Sequence, residues 1–190
     1  SLMVLGQSYR RIMTITFHAD GRVEGSGAAN FGSSGNIIQT VVGTNGYRTD
    51  RSALSLTGSV TNPTFLDSNC NVAITPQRSN SKILLTWSCQ IRLNPSSFGH
   101  VGVWYSPNSN MSSPTVVEKS HGPNNNLNES YRTVQNDHYM FHSWSRMCWD
   151  ETITNTNIRY YGVAGWAAAG TMVYGDNGLA LQLMAREIAN

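Results

Sequence analysis

One stretch restricts the fold of this chain more than any other. Leu85, Trp87, Cys89, Ile91 and Leu93 alternate with Thr86, Ser88, Gln90, Arg92 and Asn94. Side chains along a strand point to opposite faces in turn, so this period of two predicts a strand over residues 85–93. Its apolar face must lie on a core, and its polar face on solvent or a partner. Pro95 has no N–H to donate and ends it. Helical periodicity is nearly absent elsewhere. The best helix candidate is residues 165–170, where Ala167, Ala168 and Ala169 sit between two glycines. Short alternating segments broken by Gly, Asn, Pro and Ser instead indicate an antiparallel sandwich or barrel.

The 190 residues suffice for one well-buried core plus a small extra module. Residues 1–34 read as that module, an N-terminal β-hairpin arm followed by a linker. Ile12 to Phe17 forms one strand, and Asp20-Gly21 supplies a two-residue turn because both positions accept positive φ. Val23-Glu24 begins the return. The run from Gly25 to Gly35 is rich in glycine and serine, as linkers are. Residues 35–190 read as a single jelly-roll-like antiparallel β-sandwich. Its strands are expected over 37–42, 53–60, 70–75, 85–93, 100–105, 115–119, 138–148, 158–166 and 179–188. Asparagine-rich loops fill 106–114, 121–129 and 150–157, where Asn tolerates turn geometry.

Charge narrows the function. Only 13% of residues are charged, about half the usual share, and the net charge is +2. The polar surface must come from hydroxyls and amides. Such a surface suits packing against neighbouring subunits, where desolvating charge is costly, or contact with neutral ligands such as sugars. Arg10-Arg11 and the scattered pair Arg48 and Arg51 make no basic stripe, so nucleic acid is not an expected partner. That also excludes packaging a genome through a basic tail. No apolar run reaches the roughly 18 residues of a membrane helix, so no membrane contact is expected. No charged-then-apolar leader opens the sequence, and Ser1-Leu2-Met3 is consistent with a processed start.

Patterns that could carry chemistry have simpler explanations. His138 and His142 stand four apart in a strand-like stretch, which separates the rings by about 13 Å, too far to share an ion. Asp137, His138 and either Ser130 or Ser143 could compose a triad. However, no Gly-x-Ser-x-Gly elbow exists, and the adjacent Asp137 and His138 face opposite sides of a strand. Asp150-Glu151 follows Trp149 and resembles a glycosidase acid pair, but adjacent carboxylates on a strand point apart. A charge-rich turn accounts for them. Gly25-Ser26-Gly27 and the run from Gly43 to Gly46 lack the strand-to-helix setting of a phosphate loop. No enzymatic activity, cofactor or metal is therefore expected.

The three cysteines, Cys70, Cys89 and Cys148, lack the spacing of a disulfide framework or zinc site and read as buried thiols. A second possibility concerns two of them. If residues 70–75 fold back on 85–93 through a turn near Ser79-Asn80, cross-strand positions sum to about 159, setting Cys70 nearly opposite Cys89 at bridging distance.

Three segments carry a family resemblance: Gly35-Asn36-Ile37-Ile38-Gln39-Thr40-Val41, the run from Val72 through Ile74-Thr75-Pro76 and Ser79-Asn80-Ser81 to Leu85, and the run from Gly178 to Ala189. Together they resemble a β-sandwich domain of tailed-bacteriophage virion proteins, especially those of cyanophages and other aquatic phages. The likeness covers residues 35–190. In that family the middle segment forms a hairpin into the long core strand. This chain departs from the pattern at Gln77-Arg78-Ser79-Asn80 and at Ala185-Arg186. The resemblance implies a non-enzymatic virion part, a capsid decoration protein or fibre subunit located in a virion assembled in host cytoplasm. It also implies a homotrimer, with other virion proteins such as the major capsid protein as partners.

The alternative is a receptor-binding fibre tip that recognises host surface glycans. Its candidate contacts, equally candidates for a protein partner, are Trp104, Tyr105, Asn124, Asn125, Asn126 and Trp149. Trp and Tyr favour interfaces, and amides suit sugar hydroxyls. Core packing is the competing role for these aromatics and for Trp144, Tyr160, Tyr161 and Trp166.

Overall fold

A computed structural model describes residues 14–17, 23–26, 35–43, 46–47, 54–59, 61–117, 130–132, 140–174 and 180–190. Among these the chain forms sixteen strands and no α-helix. They are β1 (Thr14–Phe17), β2 (Val23–Ser26), β3 (Ile37–Val42), β4 (Gly46–Tyr47), β5 (Leu54–Ser55), β6 (Gly58–Ser59), β7 (Asn62–Phe65), β8 (Val72–Ile74), β9 (Lys82–Leu93), β10 (Phe98–Ser106), β11 (Thr115–Val116), β12 (Ser130–Arg132), β13 (Met140–Asp150), β14 (Arg159–Ala169), β15 (Met172–Tyr174) and β16 (Ala180–Ile188). A 3-10 turn, Ser68–Cys70, precedes β8 and is capped by the Asp67 carboxylate, which accepts from the Asn69 N–H.

Two seven-stranded antiparallel sheets share one core. In sheet I, β14 lies between β10 on one side and β7 and β8 on the other, with β11 and β12 beyond β10 and β6 beyond β7. In sheet II, β9 lies between β13 on one side and β16 and β15 on the other, with β3 and β4 beyond β16 and β5 beyond β15. The alternation in β9 has the predicted result. Ile83, Leu85, Trp87, Cys89, Ile91 and Leu93 are all at most 3% exposed and meet Val101, Val103, Tyr161 and Val163 of sheet I. Each such side chain taken out of water contributes about 1.5–3 kcal/mol, so this strand alone anchors much of the fold.

Several expectations need correction. Residues 70–75 do not fold back on 85–93. Instead β8 pairs with β14, Val72 opposite Tyr161 and Ile74 opposite Arg159, and the chain crosses from sheet I to sheet II between Ile74 and Lys82. Cys70 therefore sits in the 3-10 turn that leads into β8 of sheet I, and Cys89 on β9 of sheet II. Neither is in a disulfide, nor is Cys148, and all three are buried, so the bridge is not formed and the thiol reading holds. Residues 165–170 are no helix. Gly165 to Ala169 complete β14, because pairing with β10 satisfies their backbone whatever the propensity of alanine. The strand expected over 53–60 breaks at Leu56-Thr57 into β5 and β6; Gly58, which opens β6, has a φ of +95° that suits glycine, and β7 follows although it contains Pro63.

The first strand pair lies in the N-terminal segment. β1 and β2 form their own two-stranded sheet with Phe17 opposite Val23 and Ile15 opposite Gly25. The expected Asp20-Gly21 turn lies outside the described residues.

Candidate contact surface

Two buried carboxylates account for most of the polar architecture, and both are structural struts. Asp150 ends β13 in sheet II and Arg159 opens β14 in sheet I. Their side chains meet at 2.8 Å, both almost fully buried. The Tyr161 hydroxyl donates to Asp150 Oδ2 at 2.6 Å, and Arg159 Nε donates to that hydroxyl at 3.1 Å. Thr152 donates from Oγ1 and from its N–H to Asp150 Oδ1. The guanidinium also lies 3.8 Å over the Tyr105 ring. Burial alone would raise the Asp150 carboxyl. The hydrogen bonds from Thr152 and Tyr161, with the Arg159 charge, outweigh it and hold the group below its ordinary value. Burial and the Asp150 charge push the Tyr161 phenol well up. The cluster clips the two sheets together beside the 151–158 connection.

Glu187 is fully buried without a cation among its contacts. Its position follows from the alternation of β16, where Leu181, Leu183, Ala185 and Glu187 point inward. Oε1 accepts from the N–H groups of Gln77 and Arg78 and from Ser81 Oγ at 2.7 Å. Oε2 accepts from Gln39 Nε2 at 2.6 Å, and Gln39 also donates to the Thr75 carbonyl. One side chain thus holds the crossover between the sheets, β3 and β16 together. The three segments that carry the family resemblance, far apart in sequence, converge on it.

The outer face of sheet I covers its own aromatics. Trp104 is fully buried, packed with Ala164, Phe65, Val116 and Trp166. Gly162 makes room: a Cβ there would stand 2.9 Å from the Phe65 ring. His100 stacks on Trp166 with ring centroids 4.5 Å apart, its Nδ1 is buried without a partner, and burial lowers its pKa.

The outer face of sheet II is open. Its rungs run across β3, β16, β9 and β13: Val42, Met184, Thr86 and Met147 in one, and Thr40, Arg186, Leu84 and Trp149 in the next. Among the described residues the large exposed hydrophobics are Ile37, Val42, Met147, Trp149 and Ile158, and the first four belong to this face. A recess of about 260 Å³ lies between Val42, Thr86, Ser88, Ser145, Gln182 and Met184, with no charged side chain in its wall.

The predicted contact residues are dispersed. Trp104 and Tyr105 are neighbours on β10 and so face opposite ways, Trp104 into the outer cluster and Tyr105 toward the core. Trp149 stands 46% exposed on sheet II. Asn124, Asn125 and Asn126 lie outside the described residues, as do Asp137 and His138. The two acids considered for hydrolysis have separate duties: Asp150 is buried in its clip, and Glu151 is exposed and paired with Lys82 at 2.8 Å. Among the described residues no group of three His, Cys, Asp or Glu side chains is placed to hold a metal ion, and no helix is long and apolar enough to cross a membrane. Neither a family model nor a curated protein matches the chain.

Proposed function

We propose that this chain is a non-enzymatic structural part of a bacteriophage virion, a capsid decoration protein or fibre subunit that works through subunit contacts. The observation that carries the reading is the outer face of sheet II, where four large apolar side chains stand open amid hydroxyls and amides. Large apolar side chains left exposed on one face of a sheet mark a contact surface, and the neutral recess between them lowers the cost of burying that part of it. The convergence of the three resemblance segments on Glu187 supports a shared domain design. On this reading the sandwich has jelly-roll connectivity and supplies rigidity, the N-terminal hairpin acts as an arm, and copies associate as a homotrimer that binds the major capsid protein or another virion component.

The rival reading, a fibre tip for host glycans, draws on Trp149 and the neutral recess. It is weakened by the burial of Trp104 and the inward position of Tyr105, which remove two of its stacking platforms. Titration against empty capsids and a glycan array separates the two. Tight capsid binding with no glycan hits is the expected result. Glycan binding lost on Trp149→Ala, with no affinity for capsids, would overturn it.

A further inference from the structure

We infer that the β9–β13 strip on the outer face of sheet II packs on the same strip of a second copy. The two copies are related by a two-fold axis that runs along the strands, so that each β13 lies over the other copy's β9. The inference rests on the assembly reading above and names the partner of this face.

The rungs of the strip identify the partner. β9 and β13 pair without a register shift, and Trp149 stands opposite Leu84, Met147 opposite Thr86, and Ser145 opposite Ser88. One rung beyond Trp149, Glu151 meets Lys82 at 2.8 Å. Arg92 stands at the far end, opposite Phe141. The strip thus carries opposite charges on one rung, two apolar side chains on the next and two hydroxyls near the middle. A surface built this way is complementary to itself when its two strands are exchanged. A two-fold along the strands makes that exchange: Glu151 of one copy meets Lys82 of the other, Trp149 meets Leu84, and Ser145 meets Ser88.

The relief agrees with the charges. β13 is a ridge, with Met147 69% and Trp149 46% exposed, whereas Leu84, Thr86 and Ser88 on β9 are half-buried. Beside Thr86 and Ser88 the face is dented by the recess of about 260 Å³. Each copy therefore sets a ridge into the other's groove, with Met147 directed at the recess.

Other arrangements of two copies bring like charges together, which an interface selects against. An axis across the strands turns one copy end for end and sets Lys82 against Arg92. An axis centred on β9 alone sets Lys82 against Lys82 and Arg92 against Arg92. The axis between β9 and β13 places Arg92 over residue 141 and leaves Arg186, level with Leu84 on β16, beside the strip. The strip is 11 residues long, about 36 Å, and two strands wide, about 10 Å. That is small for a specific interface, so the pair dissociates on dilution. The contact is isologous and joins copies in twos, so together with the proposed trimer it gives a hexamer of two trimers.

The test exchanges the charges between copies of the full chain. Both Lys82 and Glu151 are partly exposed, so Glu151→Lys and Lys82→Glu are expected to leave circular dichroism and the urea midpoint in place. Each variant alone sets like charges across the two-fold and is expected to raise the dissociation concentration of the pair by about tenfold, read by sedimentation velocity. Mixing the two variants restores opposite charges on both rungs and is expected to restore the association. A short bis-maleimide then reads the orientation. Copies carrying Ser143→Cys mixed with copies carrying Gln90→Cys are expected to link, whereas Gln90→Cys mixed with Lys82→Cys, about 26 Å apart along the strand, are not. The native cysteines are buried and do not compete. An oligomer that both charge variants leave unchanged, or that mixing does not restore, or that links Gln90 to Lys82 in preference, would overturn this inference and leave the assembly reading intact. A monomer by light scattering at micromolar concentration would overturn both.

Discussion

Replacing Glu187 by glutamine keeps its shape and removes its charge, and the surroundings cannot adapt. The carboxylate accepts from Gln39, Gln77, Arg78 and Ser81 and donates nothing. An amide must turn its NH2 toward one side. Facing Gln39, it meets another NH2 2.6 Å away, and Gln39 cannot flip without setting its oxygen against the Thr75 carbonyl. Facing Ser81, it leaves the Arg78 N–H without an acceptor. One buried donor left unpaired costs about 1–3 kcal/mol, and the remaining bonds lose their charge assistance, worth about 1 kcal/mol more. Glu187→Gln should therefore destabilise the protein by about 2–4 kcal/mol. Urea unfolding followed by tryptophan fluorescence reads this as a lower midpoint at unchanged slope. Arg186→Gln, one residue away and facing outward, should stay within about 0.5 kcal/mol. A loss of under about 0.5 kcal/mol for Glu187→Gln would refute the claim that one carboxylate ties the crossover to β3 and β16.

Asp150→Asn should cost about 3–5 kcal/mol in the same assay, because it strands the buried Arg159 charge, whereas Asp150→Leu combined with Arg159→Met should recover much of that loss. Stability should fall with acid in two windows. Burial lowers the His100 pKa in the folded state, so as pH falls below the unfolded value of 6.5 the unfolded chain takes up its proton first and gains. The depressed Asp150 carboxyl contributes in full above the unfolded value of 3.8, and that contribution is lost as pH falls through its lower folded value. Denaturation from pH 8 down to about 1.5 should show the first step vanish in His100→Phe and the second in Asp150→Asn. Cys70, Cys89 and Cys148 should resist a water-soluble thiol reagent until the chain is unfolded, and rapid labelling of any of them in the native state would contradict their burial.

The alternation that placed β9 worked because one of its faces is buried along its whole length, a condition that period-two reading detects directly. The same rule, applied strictly, also held information that went unused. It puts Trp104 and Tyr105 on opposite faces, and it puts Glu187 on the inward face of β16, where a lone acid among Leu181, Leu183 and Ala185 signals a bonded strut. The partner of β8 could not be read. Val72 and Ile74 alternate equally well for either sheet, and the choice rests on contacts such as those of Glu187, more than a hundred residues away. The Ala167 to Ala169 run misled because local propensity was overridden by pairing with β10. The rungs of sheet II that bring Val42 beside Met184, Thr86 and Met147 depend on strand order, which no single segment encodes.

The central claim is that the outer face of sheet II is buried in the working assembly. Hydroxyl-radical footprinting of the full chain, diluted and at assembling concentration, measures this at Met147 and Trp149. Severalfold slower oxidation of both on assembly is the predicted result, with no change at the exposed Ile158. Equal oxidation at both concentrations, in a sample that light scattering shows to be oligomeric, would contradict it.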